Sequence, residues 1–243
     1  MKTVDLAGRR ALVIGGSGGI GAAVASVLCE AGAEVFVHAG HDRQKLDRLL
    51  SRISSDGRRP PTGILASLES LSDLTAFTAY TEVHILVVAY GPVAWEPLGS
   101  DHTTSTWERM VTMNLALPGI MAERCLPYMI SEQFGRIIFF GASAGDERRP
   151  SREAPAYTAA KGGLPVLARS IARSHASSGV TCNVICPGYV DTEYMSDASR
   201  NTCIRRSPTG RLTSTEEIAS LVRYICTTKV VNGATINASD GLL

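Results

Sequence analysis

A chain of 243 residues with 44% hydrophobic content can bury a full core as one α/β domain. Its 24 Lys+Arg against 23 Asp+Glu give a formal net charge of +1, which gives no support for a nucleic-acid partner, whose backbone demands a basic face. No apolar run reaches membrane-spanning length, MKTVDLAGRRALVIGG lacks the apolar core of a secretory signal, and the six Cys contain no CxxC. The expectation is a cytoplasmic protein with free thiols and no metal site.

In chain order, Ala11–Ile14 reads as a strand ending in glycines, and Ile20–Ala31 as a helix. Glu34–His38 is a second strand, Arg43–Ile53 a helix, Ile64–Leu65 a weak strand, and Leu71–Tyr80 helix-like. Ile85–Ala89 is a strong strand, and Thr103–Ile130 is helical with breaks expected at Pro118 and Pro127. Arg136–Phe140 is a strand, Ala156–His175 one long helix, and Val180–Cys186 a strand stopped by Pro187-Gly188. Thr213–Cys226 is a helix carrying a capping box, Ser214 with Glu217, and Ala234–Ala238 is a last strand. Alternation of this kind, with strands apolar throughout, implies a parallel sheet covered on both faces. The whole of 1–243 reads as one domain, with the non-periodic stretch 188–210 as a candidate lid beyond a strand's carboxyl end.

The turn I14-G-G-S-G-G-I-G21 links the first strand to the first helix. Gly15 permits a tight turn, Gly19 a close backbone approach to a pyrophosphate, and Gly21 close helix packing; Ser17 and Ile20 lie between them. Amide groups at the helix N-terminus would face the phosphates of a dinucleotide. At the end of the second strand, where NAD sites want a carboxylate, the chain has His38, and His41 and Arg43 follow as partners for a 2'-phosphate. NADP is favoured, with NAD as the alternative.

Tyr157 and Lys161 stand one helical turn apart in YTAAK. A phenol with a pKa near ~10 is a poor acid/base at neutral pH, and an ammonium beside it would lower that value. Tyr157 could then exchange a proton with a carbonyl or alcohol oxygen.

Together with W107-E-R-M-V-T-M-N114, G135-R-I-I, N183-V-I-C-P-G-Y-V-D-T192, T215-E-E and G233-A-T-I-N-A-S-D-G241, these motifs resemble the short-chain dehydrogenase/reductase family over the whole chain. Within it the likeness is to the 3-oxoacyl-[acyl-carrier-protein] reductase branch. The resemblance implies a Rossmann-like, doubly wound parallel sheet of about seven strands with helices on both faces. It implies Tyr157 as acid/base, Lys161 on the nicotinamide ribose, and Asn114 supporting a water that leads to that Lys. It also implies Gly91 after the fourth strand, and Pro187, Gly188, Val190 and Thr192 as a loop flanking the nicotinamide and diphosphate.

The chain departs from the family in several places. Ile14 replaces a Thr that opens the turn, Ser67 stands near an adenine-binding Asp, and Val88-Ala89-Tyr90-Gly91 replaces Asn-Asn-Ala-Gly. The helper Ser falls on Ala142 without gaps, and Ser143 is one position later, followed by an insertion bearing Arg148 and Arg149. Ser143 is therefore either the helper hydroxyl or a structural one. Loss of one carbonyl-polarising donor would cost roughly 100-fold or more without abolishing hydride transfer.

The expected substrate is a small-molecule ketone or alcohol, with a 3-oxoacyl thioester as one form. Trp95, Pro97, Tyr189, Tyr194 and Met195 could line its cleft. The basic pair expected for an acyl carrier protein falls on Gln133 and Ser178, with Arg136 nearby. The family implies a homotetramer, or a dimer, and no membrane partner. The alternative function is a catalytically weak or inactive NADP-binding scaffold or regulator, suggested by Ala142 and Val88-Ala89.

Overall fold

The computed structural model describes residues 6–55, 59–99, 104–142 and 152–242, and in them the apolar runs of the sequence become seven parallel strands. These are β1 (Arg10–Ile14), β2 (Glu34–Ala39), β3 (Thr62–Leu65), β4 (Ile85–Val88), β5 (Gly135–Phe140), β6 (Val180–Pro187) and β7 (Thr235–Ala238). Their order across the sheet is β3-β2-β1-β4-β5-β6-β7, a doubly wound, Rossmann-like arrangement. The order reverses between β1 and β4, so a crevice opens beyond the carboxyl ends of those two strands.

The strands are apolar on both sides because both sides are covered. Ala11 and Val13 of β1 face a core built with α1 (Gly19–Glu30), α2 (Arg43–Ser54) and α8 (Thr215–Thr227). Leu12 and Ile14, displaced by one pleat, face the opposite core, formed with α4 (Leu117–Ser131), α6 (Leu164–His175) and a 3-10 helix at Leu71–Tyr80. The start of α8 is the capping box read from sequence: Glu217 N–H donates to Ser214 Oγ at 3.1 Å, and Ser214 N–H to Glu217 Oε2 at 2.8 Å.

Three expectations change. Neither Pro118 nor Pro127 breaks the long helical stretch; it divides into α3 (Thr104–Val111), a π-helical turn at Thr112–Ala116, and α4. Leu117 N–H bonds Thr112 O, five residues back, and Pro118 has no N–H to give, so the widened turn falls where an α pattern would have lost a bond. Pro127 is carried inside α4, whose buried face of Ala122, Cys125, Leu126 and Met129 holds the helix to the core. The single helix expected at 156–175 divides at Gly163 into α5 (Pro155–Gly162) and α6, and a Cβ at Gly163 would lie 2.9 Å from Leu115 of the π turn. The non-periodic stretch after β6 contains a helix, α7 (Asp197–Arg206). None of the six Cys is in a disulfide, and no helix among the described residues is long and apolar enough to cross a membrane.

Candidate active site

The crevice is framed on one side by the glycine turn. Gly15 has φ +80°, and a Cβ there would lie 2.8 Å from Tyr90 N, so only glycine lets the turn rest on the chain leaving β4. A Cβ at Gly21 would overlap the Gly15 carbonyl, which explains how closely α1 follows the turn.

His38 fastens this turn from below. Its Nδ1 accepts the Gly15 N–H at 3.1 Å, so the proton sits on Nε2, which donates to Ala66 O at 2.8 Å. The ring is buried, and burial lowers its pKa, keeping it neutral. His38, expected among the cofactor-binding residues, lines the cleft with both nitrogens committed to backbone groups. Ile14 cannot bond across the turn, and His38 does so instead. That relation joins residues 23 apart in sequence and has no local signal.

A cleft of about 400 Å³ lies over the turn. Gly15, Ser17, Gly19, Ile20 and Gly21 line it from β1 and α1, with His38 and Gly40 from the end of β2. Gly91 and Tyr90 close it from β4, and Thr192 and Tyr194 from the segment after β6. Tyr90 spends its hydroxyl on Leu68 O at 2.9 Å. His41 and Arg43 do not line the cleft. His41 is an exposed side chain 3.8 Å from Glu69, and Arg43 pairs with Asp47 at 4.0 Å along α2. The two residues expected to meet a 2'-phosphate thus face solvent and their own neighbours. Ser67 Oγ donates to Glu69 at 3.3 Å.

On the other side of the crevice, Asn114, Lys161 and Gly91 converge. Asn114 sits in the π turn with its Nδ2 donating to Pro92 O at 3.0 Å, while its buried Oδ1 has no hydrogen-bond partner among the described residues. A Cβ at Gly91 would overlap Asn114 Oδ1 and lie 2.9 Å from Lys161 Nζ, so the absent side chain is what lets both groups approach the chain after β4. Lys161 is buried and donates to Phe140 O at 2.8 Å. Its Nζ lies 5.9 Å from the Tyr157 ring centre.

The electrostatics of this pair differ from the expected tuning. Burial pushes Lys161 down to about 8 and Tyr157 above the usual phenol range, with Cys186 adding to the Tyr157 shift. Burial thus outweighs any lowering of the phenol by the ammonium. Ser143, with Arg148 and Arg149, lies outside the described residues; Ala142, at the end of β5, carries no hydroxyl.

The segment after β6 returns across the crevice. Gly188 N–H bonds Ala238 O at 3.0 Å, and a Cβ on Gly188 would lie 2.8 Å from Ser239 Cα, so this glycine permits close passage beside the end of β7. Val190 is buried and bridges to Thr213. Thr192 then reaches the cleft, and Glu193 and Tyr194 go further, onto the glycine turn. The Glu193 carboxylate accepts the Gly19 N–H, with both oxygens at 3.1 Å, and pairs with Lys45 at 2.7 Å. Lys45 also donates to the Tyr194 hydroxyl at 2.5 Å. Tyr194, expected in a substrate cleft, instead covers Lys45 beside the turn. Sequence gave no sign of this cluster, since Lys45 and Tyr194 are 149 positions apart.

Comparison with known proteins accords with this geometry. Over 243 residues the chain is 30% identical to the 3-oxoacyl-[acyl-carrier-protein] reductase FabG of Salmonella typhimurium, covering 97% of each chain. Among solved structures it is similar to the angucycline C-6 ketoreductase LanV with bound NADP, at 28% identity, 98% and 97% coverage and a TM-score of 0.89. It is also similar to a 3-oxoacyl (acyl-carrier-protein) reductase of Agrobacterium tumefaciens C58 with NADP bound, at 29% identity, 97% and 95% coverage and a TM-score of 0.87. A family model for short chain dehydrogenase matches residues 9–202, and the chain belongs to that family.

Proposed function

We propose that this oxidoreductase uses NADP(H) to reduce a ketone of a small molecule to an alcohol, with Tyr157 as its acid/base. The observation that carries the reading is the convergence of Asn114, Lys161 and Gly91 at the carboxyl end of β4, beside the cleft over the glycine turn. The residues fit a dinucleotide. The turn is shaped by glycines whose Cβ atoms would collide with backbone, and the Gly19 N–H already holds a carboxylate, an anion of the kind a phosphate would replace. Gly15, Ser17, Gly19, Ile20, Gly21 and Thr192 would hold its phosphates, and Pro187, Gly188 and Val190 would flank its nicotinamide.

A bound nicotinamide would supply the hydride. Tyr157 would give its phenolic proton to the carbonyl oxygen as the new C–H bond forms, leaving an alcohol and a phenolate. Lys161, at a pKa of about 8, can return a proton to Tyr157 near neutral pH. Asn114 Oδ1, buried and without a partner among the described residues, is an acceptor toward which that proton path would be ordered. Ser143 is proposed as the donor that polarises the carbonyl.

Val93, Trp95 and Leu98, exposed on the segment after Gly91, support an apolar substrate. A carrier-protein partner has less support, since Arg136 is buried and offers no charge to an acidic surface. On the family resemblance we extend the reading to a cytoplasmic homotetramer, which sedimentation would test.

The experiment is NADPH oxidation across ketones, including 3-oxoacyl thioesters, by the wild type and Tyr157→Phe. Loss of turnover by about 100-fold or more in the variant, with NADPH affinity kept, is expected; retained turnover removes Tyr157 from the role. The upward shift of Tyr157 and the methyl at Ala142 favour one second reading, a binder with little turnover. NADPH binding without oxidation by any ketone would establish it.

A further inference from the structure

The glycine turn is engaged by the protein's own side chains. Glu193 presents a carboxylate to the first amide of α1, and Lys45 reaches over from α2 to neutralise it. Burial works against both charges, yet the hydrogen bonds outweigh it: Glu193 is held below the usual carboxylate range and Lys45 above the usual ammonium range. Gly18 makes room for the cluster, since a Cβ there would lie 2.5 Å from Glu193 Oε1 and nearer still to Lys45 Nζ and the Tyr194 hydroxyl. An anion and its counter-cation are thus packed on the glycine turn, in a cavity they line together with Ser17 and Gly19, whereas His41 and Arg43 line neither this cavity nor the cleft beside it.

We propose that Lys45 is the cation that meets a phosphate of the dinucleotide, and that Glu193 holds that place until the phosphate displaces it. The inference rests on the dinucleotide-binding reading above. The exchange is anion for anion at the same donors: the Gly19 N–H and the Lys45 ammonium pass from carboxylate to phosphate, and no covalent bond changes. Its consequence is competition within one chain. The fraction of molecules with Glu193 seated is unavailable to the nucleotide, so apparent affinity falls by that fraction.

The test measures Kd for NADPH and for NADH by cofactor-fluorescence titration, with thermal denaturation to show each variant folded. Glu193→Gln keeps the side chain's shape and removes its charge; NADPH is expected to bind about five-fold tighter. Lys45→Met is expected to bind it about ten-fold more weakly, through loss of a charge-assisted contact. If Lys45→Met weakens NADPH alone, the phosphate it meets is the 2'-phosphate; if both nucleotides weaken, it is the diphosphate. Both results support the proposal. Unchanged affinity in either variant, beside a wild type that binds, overturns it and leaves the dinucleotide reading intact. No binding by any of the three proteins overturns the dinucleotide reading itself, and this inference with it.

Discussion

At the amino end of β5, Arg136 buries a guanidinium and satisfies it: Nε donates to Cys226 O at 3.1 Å, and Nη1 to Gly135 O at 2.7 Å and Gly179 O at 3.0 Å. Phe134 stacks against it, its ring centre 4.2 Å from the guanidinium carbon. Beyond the carboxyl end of the same strand, Lys161 buries an ammonium that donates to Phe140 O, beside an Asn114 oxygen with no partner among the described residues. One end of the sheet spends its buried charge on tying carbonyls together. The other keeps a charge and an acceptor underused, a cost that stability alone would not select. The contrast separates a structural end from the end where the proposed chemistry would sit.

The contrast is broken most directly at its structural end. Arg136→Met removes a donor from three carbonyls, of which Gly179 O keeps the Gly135 N–H at 3.2 Å, and urea denaturation should show a loss of about 3 kcal/mol, with NADPH affinity unchanged in the folded fraction. Lys161→Met should do the opposite. Its folded pKa, about 8, lies below the unfolded value, so the folded state disfavours the proton at pH 7 and the buried charge costs stability there. The variant should be more stable by roughly 2 kcal/mol at pH 7 while losing turnover. For the wild type, stability from this group should rise between pH 8 and about 10.5 and be flat below. A destabilised Lys161→Met, or one that turns over ketone normally, would erase the distinction.

The smallest effect concerns two histidines, one at each end. His38 Nδ1 accepts the Gly15 N–H, and His84 Nδ1 accepts the Arg10 N–H at 3.0 Å. Burial lowers both pKa values, so each contributes stability that is complete above about pH 6.5 and is lost as pH falls through the folded value. Protonation at Nδ1 forfeits the accepted bond in each case. Only His38 holds the glycine turn, so NADPH affinity should weaken from pH 7.5 to 5.5 in the wild type and in His84→Gln alike. His38→Asn should flatten that dependence. An equal effect of both substitutions on the pH dependence of Kd would show that the two ends are not separable.

The scaffold was more legible in sequence than the side-chain chemistry. Strands apolar throughout, a Gly-rich turn and Ser214 with Glu217 are local patterns, and each reappears as drawn. Tyr157 and Lys161 were legible as a pair one turn apart, but not their protonation, because burial is a property of the assembled core rather than of a spacing. His41 and Arg43 drew attention because they are near in sequence to the strand end, whereas Lys45 reaches the turn only through the fold of α2 and the return of Glu193, which no local pattern signals. Pro118 and Pro127 were poor guides because a proline costs a helix one bond, and a packed face outweighs it.

The π turn at Thr112–Ala116 sets the phase of everything before it. It adds one residue to the winding, so removing any one of the five would restore an even helix and swing α3 by about 100° around its axis. Met110, buried and in contact with the Asn114 amide, would be carried out of the core, and the exposed ring of Trp107 would rotate with it. The position of an amide beside the ammonium is therefore written as a count of residues along the chain, and a length change there would be felt more severely than most substitutions.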